Sequence, residues 1–278
     1  MASLTRVSVR DDAFRQFRWA RLLAGPTLER LTVASFLRQE APVAASFFDV
    51  DGTLVRTNLL HPTVFYLANQ NNPLQSLGAL ARAALGAPRM ALAEMLDRRR
   101  FNELLFAVYA GMSRDRLHVL ADEAFDSVLK RAIYPGARDL VQRCRGDTSN
   151  GGHEVILVSG ALDFLMERLA AHLGATGHIS NRLEIKDNYA TGKLLRPIVA
   201  GPEKARLVRE WAKAHGEDLG DCFAYSDSYS DVPLLSVVGH PCVVNPDLRL
   251  GKLARTYAWP VIHLGKRPAL AELMEKIP

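Results

Sequence analysis

From Glu154 onward short apolar runs alternate with helix-length stretches, and that alternation constrains the fold more than any other feature. Short runs rich in β-branched or aromatic residues, closed by glycine, proline or polar punctuation, read as buried strands. A helix-length stretch between two of them suits a crossover to a parallel neighbour. The segments that fit are Ser46 to Val50, Glu154 to Ser159, Asp221 to Ser226, Pro241 to Asn245 and Trp259 to His263. The expected fold class is α/β, a parallel sheet with helices on its faces.

Between the first two strands the sequence changes character. From about Leu60 to Tyr134 there is no strand pattern, and helices broken at Pro73, Pro88 and Gly111 are expected instead. Phe101, Leu104, Leu105, Val108 and Met112 recur at three-four spacing, as do Leu117, Leu120, Ala124 and Leu129, and both sets read as packing faces. Tyr134-Pro135-Gly136 marks the return to the sheet. The expected domains are an N-terminal basic amphipathic helical segment (1–40), a core of 41–60 and 135–265, an all-helical insert over 61–134 and a helical tail (266–278).

The first 40 residues interleave Phe14, Phe17, Trp19, Leu22 and Leu23 with Arg15, Arg18 and Arg21. Such a stripe packs on protein, lies on an anionic membrane surface through residues 10–25, or serves as an organellar leader; Asp11, Asp12 and Glu29 speak against the last. No apolar run in the 278 residues has bilayer-spanning length and no compact secretory core opens the chain, so the expected compartment is the cytoplasm. Cys144, Cys222 and Cys242 are far apart and read as free thiols. The net charge of +5 is scattered over helical surfaces, so no nucleic-acid partner is expected. The oligomeric state, monomer or homodimer, is left open.

Chemistry concentrates where strands end. Ser46-Phe47-Phe48 runs into Asp49-Val50-Asp51-Gly52-Thr53, so two carboxylates leave the strand at the edge where open α/β sheets bind ligands. Alternation along an extended chain points Asp49 and Asp51 the same way, and Gly52 permits an immediate turn. Two acids in one small site repel; a divalent cation relieves the repulsion, and the turn's free amides suit a phosphate oxygen. Ser159-Gly160 is expected to set a hydroxyl and amides at a helix head, and Lys204 to lie in the first turn of another helix, within reach of a phosphate and a carboxylate. Asp227 and Asp231 follow the third strand. Magnesium takes oxygen ligands and keeps several waters, so a few carboxylates and a phosphate suffice.

In order and spacing these residues resemble the four motifs of the haloacid dehalogenase superfamily. The helical insert after the first motif, and Ser180-Asn181-Arg182-Leu183 followed by Tyr189-Ala190-Thr191-Gly192, resemble its phosphoserine-phosphatase-like branch. The resemblance covers roughly residues 45–265 and implies a Rossmann-like core with the insert as a cap. It further implies that Asp49 is the nucleophile forming an aspartyl-phosphate and that Asp51 is the general acid and base. Mg²⁺ would be held by Asp49, Asp227 and the Asp51 carbonyl, supported by Asp231. Phosphate oxygens would be bound by Gly52, Thr53, Ser159, Gly160 and Lys204.

The implied activity is hydrolysis of a small phosphate monoester, with phosphoryl transfer or mutase chemistry on the same fold, and a catalytically idle docking module, as alternatives. The branch places an acidic residue against the substrate ammonium where this chain has Asn58, and an uncharged amide cannot pair with an ammonium in the same way. Arg98, Arg99 and Arg100 are the nearest candidates for a substrate carboxylate, and Asn181 belongs with the specificity candidates. The apolar stretch Val64-Phe65-Tyr66-Leu67 either packs the first helix of the insert or faces a less polar or lipid-like leaving group.

Overall fold

A computed structural model describes residues 45–56, 60–69, 73–146 and 153–265. The N-terminal segment 1–40, the tail 266–278 and Asn58 lie outside the described residues.

The strands are Ser46–Phe48 (β1), Val155–Leu162 (β2), Gly177–Asn181 (β3), Leu183–Lys186 (β4), Tyr189–Leu194 (β5), Phe223–Ser226 (β6), His240–Val244 (β7) and Val261–Ile262 (β8). Six form one parallel sheet in the order β3-β2-β1-β6-β7-β8. β1 is central: Ser46 is paired with Val155 on one side and Phe223 on the other. Its side chains are buried on both faces, as a strand covered on both sides requires. Phe47 meets Trp211 edge-on at 5.3 Å, and Phe48 stacks on Tyr225 at 4.1 Å. The chain leaves β1 toward β2 and β3 and later returns to its other side with β6. The strand order therefore reverses beside β1, and ligands of such sheets bind in the crevice at that point.

Helices Leu60–Ala68 (α1), Pro73–Leu96 (α2), Arg98–Phe106 (α3) and Arg114–Ala124 (α4) fill the stretch between β1 and β2. α4 runs on through a π-helical turn at Phe125–Leu129. Asp97 and Ser113 cap α3 and α4 by accepting from the amides of Arg99 and Arg116. The expected break at Pro88 does not occur, because α2 runs through it. Pro88 and Ala84 both lie on the exposed side, where water can take the carbonyl that proline leaves without a donor. Of the first expected packing face Phe101, Leu105 and Met112 are buried, while Leu104 is left exposed.

The core helices are Ala137–Arg145 (α5), Asp163–Leu173 (α6), Pro202–His215 (α7), Val232–Leu235 (α8) and Leu248–Thr256 (α9). β4 and β5 form an antiparallel hairpin outside the main sheet. Its turn is Asp187-Asn188, both with positive φ, the conformation that a tight hairpin asks for. The hairpin is tied to the insert by Gly111 N–H to the Ala190 carbonyl (2.8 Å), Ala190 N–H to Met112 (2.8 Å) and Arg114 N–H to Asn188 (2.9 Å). At Gly192, φ +78, an added Cβ would sit 2.9 Å from the Ala107 carbonyl oxygen, so only glycine allows so close an approach.

Candidate functional site

Asp49 lies at the C-terminal end of β1, and its amide still donates to the Tyr225 carbonyl at 2.9 Å, so sheet pairing fixes its backbone. The chain then turns sharply: the amides of Thr53, Leu54 and Val55 converge on the Val50 carbonyl at 3.2, 2.9 and 3.1 Å. The Gly52 amide donates to Val55 at 2.8 Å. The amides of Gly52 and Thr53, expected free for a phosphate, are thus spent on closing the turn. What Gly52 supplies is room. Its φ is +85, and a Cβ there would lie 2.1 Å from Asp227 Oδ2.

That room lets Asp227, after β6, approach the first motif. The Thr53 hydroxyl lies 2.9 Å from Asp49 Oδ2 and 3.2 Å from Asp227 Oδ1, holding the two carboxylates on one donor. Opposite them Lys204, in the first turn of α7, reaches in and donates to Asp49 Oδ1 at 2.6 Å and to Asp231 Oδ2 at 2.9 Å. Asp231 also accepts from the Ser226 hydroxyl at 2.9 Å. Asp49, Lys204 and Asp231 are all buried, and buried charges persist only when paired and hydrogen-bonded in this way.

The electrostatics follow from burial. Asp51 is pushed up to about 7, first by burial and then by Asp49, against the opposing pull of Lys204 and Arg98. Burial, then Asp49, pushes Asp227 up to about 8. Asp49 is also raised by burial, against the pull of Lys204. Burial opposes the charge on Lys204, but Asp231 and Asp49 outweigh it and hold the ammonium above the ordinary lysine value. Acids raised by confinement with other acids are what a bound cation would relieve.

Ser159 departs from expectation. β2 continues through it to Leu162, and α6 begins only at Asp163, so Ser159 and Gly160 are not at a helix head. The strand outlasts its apolar run because β3 pairs with it beyond that point: Ser159 faces Ser180 and Leu162 faces Asn181, with a register shift between. The Ser159 hydroxyl accepts from the Ala161 amide at 3.0 Å and reaches Asp51 Oδ2 at 3.5 Å. Asn181 is fully buried; its amide donates to the Gly160 carbonyl at 2.7 Å and its oxygen accepts from Val199 N–H at 2.8 Å. Both ends of that side chain are committed to backbone, so it braces the Gly160 bend.

The three arginines separate. Arg98 acts on Asp51 through its charge. Arg99 pairs with Glu203 at 3.0 Å, linking the insert to the residue before Lys204. Arg100 lies 3.8 Å from Asp97 on the surface. Two further contributors had weak signals in the sequence. Ser226 closes β6 and reads in the sequence as the last residue of that strand. Asp247 caps α9 through Leu250 N–H at 2.7 Å, accepts from Tyr229 N–H at 2.7 Å and donates its amide to the Asp227 carbonyl at 2.8 Å, bracing the loop that carries Asp227.

Among the described residues no three His, Cys, Asp or Glu side chains are grouped closely enough to hold a metal by themselves. The fit to magnesium rests instead on Asp49 and Asp227, two hard carboxylates on one hydroxyl, with Asp51 two residues after Asp49. An all-oxygen set that leaves positions for water and phosphate suits that ion.

A family model described as haloacid dehalogenase-like hydrolase matches residues 46–236. Phosphoserine phosphatase SerB1 of Mycobacterium tuberculosis is 34% identical over 223 residues, covering 78% of this chain and 70% of that protein. A solved protein of unknown function from Bordetella pertussis Tohama I matches with TM-score 0.66 and 25% identity, covering 79% of this chain and 98% of its own. A substrate-bound phosphoserine phosphatase matches with TM-score 0.56 and 19% identity over 86% of this chain and all of its own, a likeness of fold alone.

Proposed function

The chain belongs to the haloacid dehalogenase-like hydrolases and is a phosphatase, and we propose that it hydrolyses a small phosphate monoester in two steps through an aspartyl-phosphate on Asp49. The observation that carries this reading is the double clamp on Asp49, with Lys204 on one carboxylate oxygen and Thr53 on the other. Such a carboxylate is oriented and kept from rotating, as an attacking group must be.

In the first step an Asp49 oxygen forms a bond to phosphorus as the bond to the leaving oxygen breaks, and Asp51 gives that oxygen its proton. In the second, Asp51 takes a proton from water as the water oxygen attacks phosphorus, and the bond to Asp49 breaks. An acid pushed up to about 7 can give and take a proton near neutrality. Lys204 and the Ser159 hydroxyl are the donors for phosphate oxygens, while Gly52 and Thr53 shape the turn around them. Asp49, Asp227 and the Asp51 carbonyl would hold Mg²⁺, with Asp231 holding Lys204 in place. When bound, the ion supplies charge neutralisation at the phosphoryl group.

In this reading helices α1 to α4 are the cap. In the sequence Asn58 stands where the phosphoserine-phosphatase-like branch has an acid for a substrate ammonium, and this favours a less polar leaving group than phosphoserine. The reaction belongs in the cytoplasm, in keeping with Cys144, Cys222 and Cys242 all being free.

The test is hydrolysis of an aryl phosphate with and without Mg²⁺, together with acid-quench trapping of a phosphoenzyme. Turnover that needs Mg²⁺ and a trapped phosphoryl group lost in Asp49→Asn are expected. Equal turnover by wild type and Asp49→Asn overturns the reading.

A further inference from the structure

Helix α2 presents an apolar face that nothing in the described protein covers. Over 24 residues it carries only Arg82, Arg89 and Glu94 as charges. Leu74, Leu77 and Leu85 are 77%, 66% and 83% exposed, and Ala81, Ala84 and Pro88 are exposed between them. At 100° per residue these positions fall on one side of the helix, with Arg89 at its edge. Lone surface leucines are ordinary; several on one face, unbroken by polar residues, mark a surface that meets something apolar.

Charge selects the occupant. The face is edged by exposed Arg89, and α3 begins just beyond α2 with exposed Arg98 and Arg100. Arg99 is already engaged with Glu203, whereas Arg100 is 79% exposed beside Asp97 and its charge remains open to solvent. A second copy on this face would bring arginines toward arginines. An anionic lipid surface matches both parts, taking leucines into the acyl boundary and arginines among the headgroups.

We propose that the α2 face docks the protein peripherally on an anionic membrane surface. No helix among the described residues is long and apolar enough to cross a bilayer, so this attachment lies in the interface plane. It places Arg89, at the edge of the face, among the headgroups. The docking stands on exposure and charge and does not depend on the phosphatase reading.

The experiment is co-sedimentation of the full chain with phosphatidylcholine vesicles, with and without about a third phosphatidylglycerol. Wild type is compared with the triple variant Leu74→Ser, Leu77→Ser, Leu85→Ser. Expected are binding to the anionic vesicles only, weakened by salt, and at least a tenfold loss of partitioning in the triple variant. Far-UV circular dichroism checks that the variant folds, and Leu85→Ser alone, at the most exposed of the three, should lose part of the binding. Asp49→Asn should bind as wild type does, which separates docking from catalysis. The proposal is overturned if wild type ignores anionic vesicles or if the triple variant binds undiminished, which would put the attachment elsewhere, residues 10–25 included. A dimer in gel filtration that the triple variant dissolves would equally overturn it, giving the face to a second copy.

Discussion

The rim of the sheet around Asp49 and the helical insert above it are built to different rules. At the rim every side chain is tied down: Lys204 has two carboxylates, Asp231 has Lys204 and Ser226, and Thr53 serves Asp49 and Asp227. The insert's backbone is hydrogen-bonded to the β4–β5 hairpin, but its ion pairs with the core are more exposed, such as Arg99 to Glu203 at 3.0 Å and Arg196 to Glu103 at 3.2 Å. Buried ion pairs of one geometry set chemistry, whereas exposed pairs contribute little energy and let two bodies shift. On the proposed reading, reaction type resides in the rim and selectivity in the insert, a division that substitutions can test.

The sharpest way to break that division is to remove the central group of the rim. Asp49→Asn should lower kcat on an aryl phosphate by about a thousandfold or more while the fold persists. Lys204 keeps Asp231 as a partner, so its charge is not stranded. If kcat falls less than tenfold, the rim does not hold the nucleophile.

Next come two glycines that test the two regions by the same substitution. Gly52→Ala forces a Cβ within 2.1 Å of Asp227 Oδ2 at a φ of +85, so Asp227 must move. About a hundredfold loss of kcat is expected, with binding of Mg²⁺ weakened in the same titration. Gly192→Ala meets the Ala107 carbonyl at 2.9 Å in the seam between hairpin and insert. It should cost about 1–2 kcal/mol in thermal or denaturant unfolding and shift KM more than kcat. A Gly192→Ala protein with kcat as damaged as that of Gly52→Ala would erase the division.

What could be read from the sequence follows the same line. Asp49, Asp51 and Asp227 were legible because strand ends and a glycine turn locate them, and their acid content announces a polar site inside an apolar frame. β3 was not: Gly177-His178-Ile179-Ser180-Asn181 is a polar edge strand, recognisable only from its pairing with β2. That pairing is also why Ser159 sits within a strand and not at a helix head. Asn181 looked like a recognition group because an amide can serve either purpose, and only the contacts with Gly160 and Val199 separate them. Arg98, Arg99 and Arg100 are identical letters in a row, yet helical rotation sends each to different surroundings.

A smaller effect concerns the metal-free rim. Asp227 is held at about 8 against an ordinary 3.8, by burial and then by Asp49. A carboxyl raised on folding costs the folded state nothing while protonated in both states. The cost therefore starts near pH 4 and grows until about pH 8. Asp227→Asn removes it, so the metal-free variant should melt about 3 °C above wild type at pH 8 and by less at pH 5. The same variant should lose the rise in Tm that Mg²⁺ gives wild type. Thermal melts at the two pH values with and without Mg²⁺ check both parts, and a metal-free variant that melts below wild type at pH 8 would show that Asp227 is stabilising without an ion.

The least effect is expected at the insert's ionic link, and its smallness is the point. Glu203 is shared by Arg99 and Arg206, and Arg99 is about half exposed, so Arg99→Ala removes one exposed partner and leaves the other. Such a pair is worth roughly 0.5 kcal/mol at most, too little to move the melting temperature by more than a degree or two. Yet Glu203 immediately precedes Lys204 in the first turn of α7, so displacement of the insert is felt next to the group that clamps Asp49. If the insert governs access and the rim governs chemistry, Arg99→Ala should change KM for a bulky monoester by a few-fold, leave kcat within a factor of two, and lose its effect in high salt, where wild type comes to match it. A salt-insensitive fall in kcat would mean that the link positions Lys204, making the insert part of the catalytic rim.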